Sequence, residues 1–355
     1  GELLFAGTPS ELLACERSVT APWLRDPPAV ARAGAAPELG SVVLRGATGR
    51  NLKNVDLEVP LGRLVCVSGV SGSGKSSLVA GTFAAALLRA KGQEARPLPF
   101  ASLEGAERVG FVRLLRQGEL AAAPRSVVAT ALGVWDDLRS LLAQSPEAKL
   151  RGWGPGRFSF NVKGGRCERC QGLGRLQLDP EALPDLWGEC PDCCGDRFGA
   201  ETLEARVKGM HAGELLKLDA EAALRLFRNI PAVARPLEAL CETGLGYVSL
   251  GQPAGTLSAG EAQRLRLAAL LGKGGTAGKV RNALPGIYVL DEPARGLHFA
   301  EVEKLIRLFR KLTEAGNAVL VVEHREEMLA AADVKIEMGP GGGPSGGRIL
   351  SVEKA

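Results

Sequence analysis

The sequence predicts an α/β fold: a core built around a glycine-rich loop and split by a long mixed insertion that carries a cysteine module. Three observations point there. Gly69-Val70-Ser71-Gly72-Ser73-Gly74-Lys75-Ser76 lies between an apolar run and an Ala/Leu-rich run, and strand, glycine loop and helix in that order make a P-loop unit. The apolar run Ile287-Tyr288-Val289-Leu290 ends in Asp291-Glu292, the pattern of a buried strand delivering two acids to a phosphate site. Cys167-x2-Cys170-x19-Cys190-x2-Cys193 has the spacing of a four-thiolate metal site.

The elements follow in chain order. Residues 1–40 hold Pro22, Pro27, Pro28 and Pro37 around an Ala/Gly-rich stretch and read as a linker. Leu52–Val59 alternates apolar and polar residues as a strand, and Leu64–Val67 reads as a buried one. Ser77–Ala90 suits a helix. Residues 41–100 therefore form the first part of the core, and 101–245 the insertion, with its cysteine module at about 160–200. Core character returns over 246–355, where Ile287–Leu290 and Ala318–Val322 read as strands. The helix Glu301–Glu314 between them puts Val302, Leu305, Ile306, Phe309 and Leu312 on one face. Gly339–Gly347 reads as a glycine-rich turn.

Composition narrows the class. A chain of 355 residues with 45% hydrophobic and 24% charged content can bury a sizeable core. Its net charge of +4 permits a nucleic-acid partner without arguing for one. No apolar run is long enough to span a bilayer, and the N-terminus lacks a signal pattern, so no membrane partner and a cytoplasmic location are expected. The eight cysteines then read as free thiols or metal ligands rather than disulfides.

Each motif implies a chemistry. The glycines Gly69, Gly72 and Gly74, with Ser71, let backbone amides curl around phosphate oxygens, and the helix start at Ser77 adds its positive end. Lys75 would reach the β- and γ-phosphates of ATP. Ser76 and Asp291 would hold Mg²⁺, and Glu292 would polarise the attacking water. The two cysteine pairs suit a closed, structural Zn²⁺ site, although Cys194 leaves the fourth ligand one residue uncertain.

Leu257-Ser258-Ala259-Gly260-Glu261-Ala262-Gln263-Arg264 resembles the signature of the ABC ATPases, whose commonest form has Gly where Ala259 stands. That resemblance implies that Ser258 and Gly260 bind the nucleotide of an opposing ATPase unit. It also implies that His324 is the switch histidine and that Gln117 is a Q-loop glutamine. One signature and one P-loop cannot close a composite site together, so a second ATPase unit is expected, from a dimer or from residues outside this chain.

From Ser76 to Ser258 is 182 positions, more than a transporter ATPase needs between these motifs. Gly156-Arg157-Phe158-Ser159-Phe160-Asn161-Val162-Lys163-Gly164-Gly165-Arg166-Cys167-Glu168 resembles the approach to the C-terminal zinc module of the UvrA family. Glu201–Glu204, Gly244–Gln252 and Ile336–Pro340 are similar to the same family. Residues 1–24 resemble the end of the preceding ATPase unit, which makes 1–40 a tail and linker. The resemblance implies the second of two ATPase units in a protein of nucleotide excision repair. Such a protein surveys double-stranded DNA for bulky damage, uses ATP to control its grip and hands the site to a UvrB-like partner. Six basic residues against one acid between Arg151 and Arg175 give a physical basis for gripping phosphates, with Arg157, Lys163, Arg166 and also Arg125 as candidates.

The chain departs from the family pattern near its working parts. Asp-Glu-Pro-Thr-Thr-Gly-Leu-His becomes Asp291-Glu292-Pro293-Ala294-Arg295-Gly296-Leu297-His298, and Gly-Arg-Thr before Pro124 becomes Ala121-Ala122-Ala123. A diverged paralogue, serving drug resistance or a specialised lesion, is one alternative. The others are a transporter ATPase and a non-catalytic module, since the first Cys pair with Gly172 and Gly174 also resembles chaperone zinc repeats.

Overall fold

A computed structural model describes residues 2–25, 39–115, 125–179, 183–272 and 284–354. The chain divides into two compact units, Gly1–Gln117 with Val280–Ala355, and Gly118–Lys279.

The first unit is built on a six-stranded sheet. Its order is Arg348–Lys354, Val334–Gly339, Leu64–Gly69, Ala318–Val322, Gly286–Asp291, Phe111–Leu115, parallel except for the first pair. The inner strands are continuous runs of Val, Leu, Ile and Ala because both faces are covered; Ala318–Val322 is buried throughout. Asp291 pairs with Val322, and Val322 with Val67. Three adjacent parallel strands therefore end level at one end of the sheet, and an open α/β sheet gathers its site at the carboxyl ends of its strands. A second, antiparallel sheet places Ser41–Ala47 between Val55–Pro60 and Ser102–Glu104. Val42, Leu44, Leu57 and Val59 join the same core as Val65, Val67 and Val289.

The expected α/β architecture is present, with local differences. The helix after the P-loop is π-helical over Ser77–Ala84 before turning α-helical over Ala85–Ala90. Thr82 Oγ1 donates to the Ser77 carbonyl at 2.8 Å, and the Leu98 N–H donates to the Gly81 carbonyl at 3.0 Å. The helix Phe299–Glu314 starts two residues before its expected beginning, capped by His298, whose Nδ1 accepts from the Ala300 N–H. Leu308 is buried on it while Leu312 is only half-buried.

That helix is tied to the sheet by charge. Arg310 Nη1 donates to both Asp333 oxygens at 2.8 Å, and Asp333 Oδ2 also accepts from the Leu64 N–H at 2.7 Å. Both side chains are almost fully buried. Removing one partner leaves an uncompensated charge in a low-dielectric interior. Arg310→Ala is therefore expected to cost the unit roughly 3–5 kcal/mol, read from its denaturant unfolding curve; a loss below about 1 kcal/mol would contradict this.

The second unit is mainly helical. Trp135, Phe160 and Phe198 meet at centroid distances of 5.9 to 6.2 Å. Around them pack residues of Trp135–Leu142, Ala220–Phe227, Pro231–Glu242 and Ala259–Gly272. The sequence assigns residues from 246 onward to the ATP-binding core, whereas the described residues as far as Gly272 group with this unit. Leu250, Leu265 and Ala268 supply the apolar surface that holds them there. The hairpin Arg175–Asp179 with Leu183–Glu189 stands between the two cysteine pairs. No helix among the described residues is long and apolar enough to cross a membrane.

Candidate nucleotide site and cysteine cluster

The P-loop leaves its strand at Gly69, whose φ of +136° an L side chain rarely adopts. A Cβ there would sit 2.1 Å from the Met338 carbonyl oxygen. Gly72 and Gly74 also have positive φ. Lys75 Nζ reaches back across the loop, donating to the carbonyls of Gly69 at 2.7 Å and Val70 at 2.8 Å. Burial pushes the Lys75 ammonium below its ordinary pKa, and Glu292 and Asp291 oppose that shift. Ser71 and Ser76 are exposed, while Ser77 is buried at the helix start.

Ser76 Oγ donates to Asp291 Oδ2 at 3.3 Å, joining residues 215 positions apart. A hydroxyl and a carboxylate in contact are hard oxygen donors of the kind Mg²⁺ takes alongside phosphate oxygens, so the pair fits that ion. Glu292 follows with φ +48°, a left-handed conformation that is costly for a side-chain-bearing residue and that concentrates at functional sites. Its N–H donates to the Val322 carbonyl at 2.9 Å, and its carboxylate lies 3.4 Å from Arg295 Nη1.

His324 is exposed just beyond the strand Ala318–Val322. The residue before it carries a role the sequence did not reveal. Glu323 is buried, one carboxylate oxygen accepting from the Ala294 N–H and the other from the His324 N–H, both at 3.0 Å. Arg325 Nη1 donates to the Leu297 carbonyl at 2.6 Å. The segment after the acid pair is thus fastened at both ends to the residues flanking His324. Gln117 lies outside the described residues, as does Ala121-Ala122-Ala123.

Two further contacts were not legible in the sequence. Asn51 Nδ2 donates to the carbonyls of Gly72 at 3.0 Å and Gly343 at 3.1 Å, so the glycine-rich turn near the C-terminus braces the P-loop. Gly347 has φ +80°, and a Cβ on it would lie 1.8 Å from the Asn51 carbonyl oxygen. At the other end of the chain, Thr20 Oγ1 lies 3.0 Å from His298 Nε2, and Trp23 stacks on Phe299 at 6.2 Å. The N-terminal segment was expected only as a tail; it packs on the segment that follows the acid pair.

In the second unit, Ser258 is exposed at the start of helix Ala259–Gly272, with Gly260 in its first turn. The four cysteines Cys167, Cys170, Cys190 and Cys193 are buried, and their Sγ atoms lie within 4.8 Å of one another. Cys167 and Cys190 are 3.9 Å apart, Cys170 and Cys193 3.7 Å. The edge of a tetrahedron with Zn–S bonds of ~2.3 Å is about 3.8 Å, so the donor set fits Zn²⁺. The Gly174 N–H points at Cys170 Sγ from 3.2 Å, the amide-to-sulfur contact that stabilises a thiolate. Cys194 is exposed and outside this group, and Cys193 is the fourth sulfur in it.

The basic candidates are disposed unequally. Arg157 donates to Thr202 Oγ1 and Glu201 Oε2, both at 3.0 Å, and its guanidinium lies 4.3 Å from the Trp153 ring centroid. Arg166 has a side chain only 9% exposed and lies 3.4 Å from Glu168. Arg125 donates to Gln171 at 3.2 Å. A guanidinium's flat face and fixed fork favour such packing over a solvent-facing role. Lys163 is exposed.

No family model matches the chain. It is 44% identical to UvrABC system protein A of Thermus thermophilus over 360 residues, covering 99% of this chain and 36% of that protein. It is 43% identical to UvrABC system protein A of Xanthomonas axonopodis pv. citri over 355 residues, covering 99% of this chain and 35% of that protein. The crystal structure of UvrA2 from Deinococcus radiodurans superposes with a TM-score of 0.86 at 41% identity, covering 100% of this chain and 42% of that one. The chain thus spans little more than a third of the curated relatives it matches. With a P-loop α/β core and a four-cysteine cluster in its insertion, this chain is a homologue of UvrA that matches about a third of that protein's length, 36% of the Thermus thermophilus protein.

Proposed function

We propose that the chain is the second ABC ATPase unit of a UvrA-like protein of nucleotide excision repair, in which ATP hydrolysis controls the grip on damaged double-stranded DNA. The single observation that carries the ATPase reading is the meeting of Ser76 with Asp291 beside Lys75 and Glu292. In this reading Gly69, Ser71, Gly72, Gly74 and Ser77 offer the phosphate cradle, and Lys75 binds the β- and γ-phosphates. Ser76 and Asp291 hold Mg²⁺, which supplies charge neutralisation at the phosphates. Glu292 orients and deprotonates the attacking water, and His324 contacts the γ-phosphate. Gln117 completes this side, and Ser258 with Gly260 serves the nucleotide of a second ATPase unit, from a dimer or from sequence outside this chain.

The cysteine cluster holds a structural Zn²⁺ that fixes the hairpin between its two pairs. Lys163 is the foremost DNA candidate because it is exposed. Arg125, Arg157 and Arg166 shape that surface through their own partners more than they reach outward. Duplex DNA is met through phosphates and deformability rather than base edges, and a UvrB-like protein receives the located site.

The test is binding to damaged and undamaged duplexes, with and without ATP, over a salt series. The expected result is a preference for damage that changes with ATP. Each phosphate neutralised contributes a slope of about −0.9 in log K against log salt. Absence of binding at low salt would overturn the DNA reading while leaving the ATPase reading intact. A second reading, a diverged paralogue with another ligand, is favoured by one observation: Arg295 pairs with Glu292 where the resembled pattern has threonine.

A further inference from the structure

Ser258 sits in a closed hydrogen-bond ring. Its N–H donates to Glu261 Oε2 at 2.8 Å, and its Oγ accepts from the Glu261 N–H at 3.3 Å, a capping box on helix Ala259–Gly272. Because Oγ accepts from that amide, the hydroxyl proton is directed to an acceptor outside the ring. The other carboxylate oxygen, Glu261 Oε1, accepts a hydrogen bond from Tyr247 Oη. That bond and the cap hold the Glu261 carboxyl below its ordinary pKa, with the tyrosine hydroxyl the largest cause.

Tyr247 is 63% exposed, an unusual place for a tyrosine ring, and its neighbours Leu245, Val248 and Leu250 are buried in the core of the unit. Packing therefore fixes the backbone on both sides of Tyr247, while its own ring adds little to the core. Its hydroxyl meets the residue that orients Ser258.

We propose that Tyr247 is a positioning residue for the signature serine. Through Glu261 it locks the rotamer of the capping carboxylate and so aims the Ser258 hydroxyl and the helix N-terminus at the phosphate of an opposing ATPase unit. This rests on the reading of Ser258 given above and deepens it. Without the hydroxyl, Glu261 keeps its cap but gains rotational freedom about its terminal bond, and Ser258 spends less time in the geometry that meets the phosphate.

The experiment is steady-state ATP hydrolysis by the full chain, over a range of protein concentrations, for Tyr247→Phe, Ser258→Ala and the double variant. Loss of one charge-assisted hydrogen bond corresponds to roughly a tenfold fall in kcat. The expected result is that fall for Tyr247→Phe, with KM for ATP and the melting temperature unchanged, because the phosphate cradle at Lys75 is untouched. In the Ser258→Ala background the same substitution should change nothing further. A separate structural contribution from Tyr247 would add to the loss in the double variant, and that result overturns the proposal. So does a wild-type rate for Tyr247→Phe when Ser258→Ala is impaired. If Ser258→Ala itself hydrolyses ATP at the wild-type rate, the reading of Ser258 fails and the proposal falls with it.

Discussion

Glu292→Gln is expected to slow ATP hydrolysis by about 10²- to 10⁴-fold while leaving ATP binding intact. The amide matches the carboxylate in shape and cannot take a proton from water. The left-handed backbone at Glu292, with its N–H held by the Val322 carbonyl, is a property of the main chain and survives the change. Lys75, Ser76 and Asp291 also stay in place. Single-turnover hydrolysis and equilibrium binding of a fluorescent ATP analogue separate the two quantities. A variant within a few-fold of the wild-type rate would remove Glu292 from the reaction and return the chain to the class of non-catalytic binding modules. The Arg295 pair bears on the same carboxylate. It is an exposed ion pair, worth at most about 1 kcal/mol, so it modulates the acid without replacing its chemistry.

Disruption of the cysteine cluster is expected to have the second large effect, a loss of structure confined to its surroundings. Structural zinc binds with apparent free energies of about 10–16 kcal/mol in small modules, so a Zn²⁺ held by the four cysteines would contribute strongly to fixing the hairpin between them. A two-stranded hairpin is at best marginally stable alone. Arg175 pairs with Glu189, so both cysteine pairs meet at its base. The aromatic core of Trp135, Phe160 and Phe198 has contacts of its own. Cys190→Ser is therefore expected to lower metal content from one Zn²⁺ per chain and to abolish amide protection over 175–179 and 183–189. The helical signal of the second unit should persist. Metal content by mass spectrometry and hydrogen exchange check both. Wild-type protein that carries no zinc, with the hairpin protected regardless, would refute the assignment.

The legible parts of this protein were contiguous. The P-loop is eight consecutive residues whose glycines, lysine and serine each have a local reason, and Gly69, Gly72 and Gly74 all take the positive φ that glycine permits. The strand Ile287–Leu290 announced itself because burial on both faces leaves an unbroken apolar run. The cysteine spacing was readable because two short knuckles need only a hairpin between them. Even so, Cys193 and Cys194 could not be separated until the structure placed Cys193 in the four-sulfur group and left Cys194 exposed outside it.

What spacing could not supply was contact between distant segments. Asn51 reaches Gly343 across 292 positions, and nothing near either residue distinguishes an asparagine in a turn from one that braces a phosphate loop. Glu323 read as the residue before a switch histidine; its two hydrogen bonds to backbone amides exist only because two parallel strands end side by side. The partners of the charged residues were illegible for the same reason. Arg157 and Arg166 counted toward a basic segment, yet the fold gave them an acid, a hydroxyl and an aromatic face as partners. The sequence by itself determined the chemistry class, because phosphate binding and thiolate ligation are written in short runs of residues whose backbone geometry is local. The tertiary structure alone decided which charges face outward and which residues hold the site in place, because those depend on the neighbours each side chain acquires when remote segments pack.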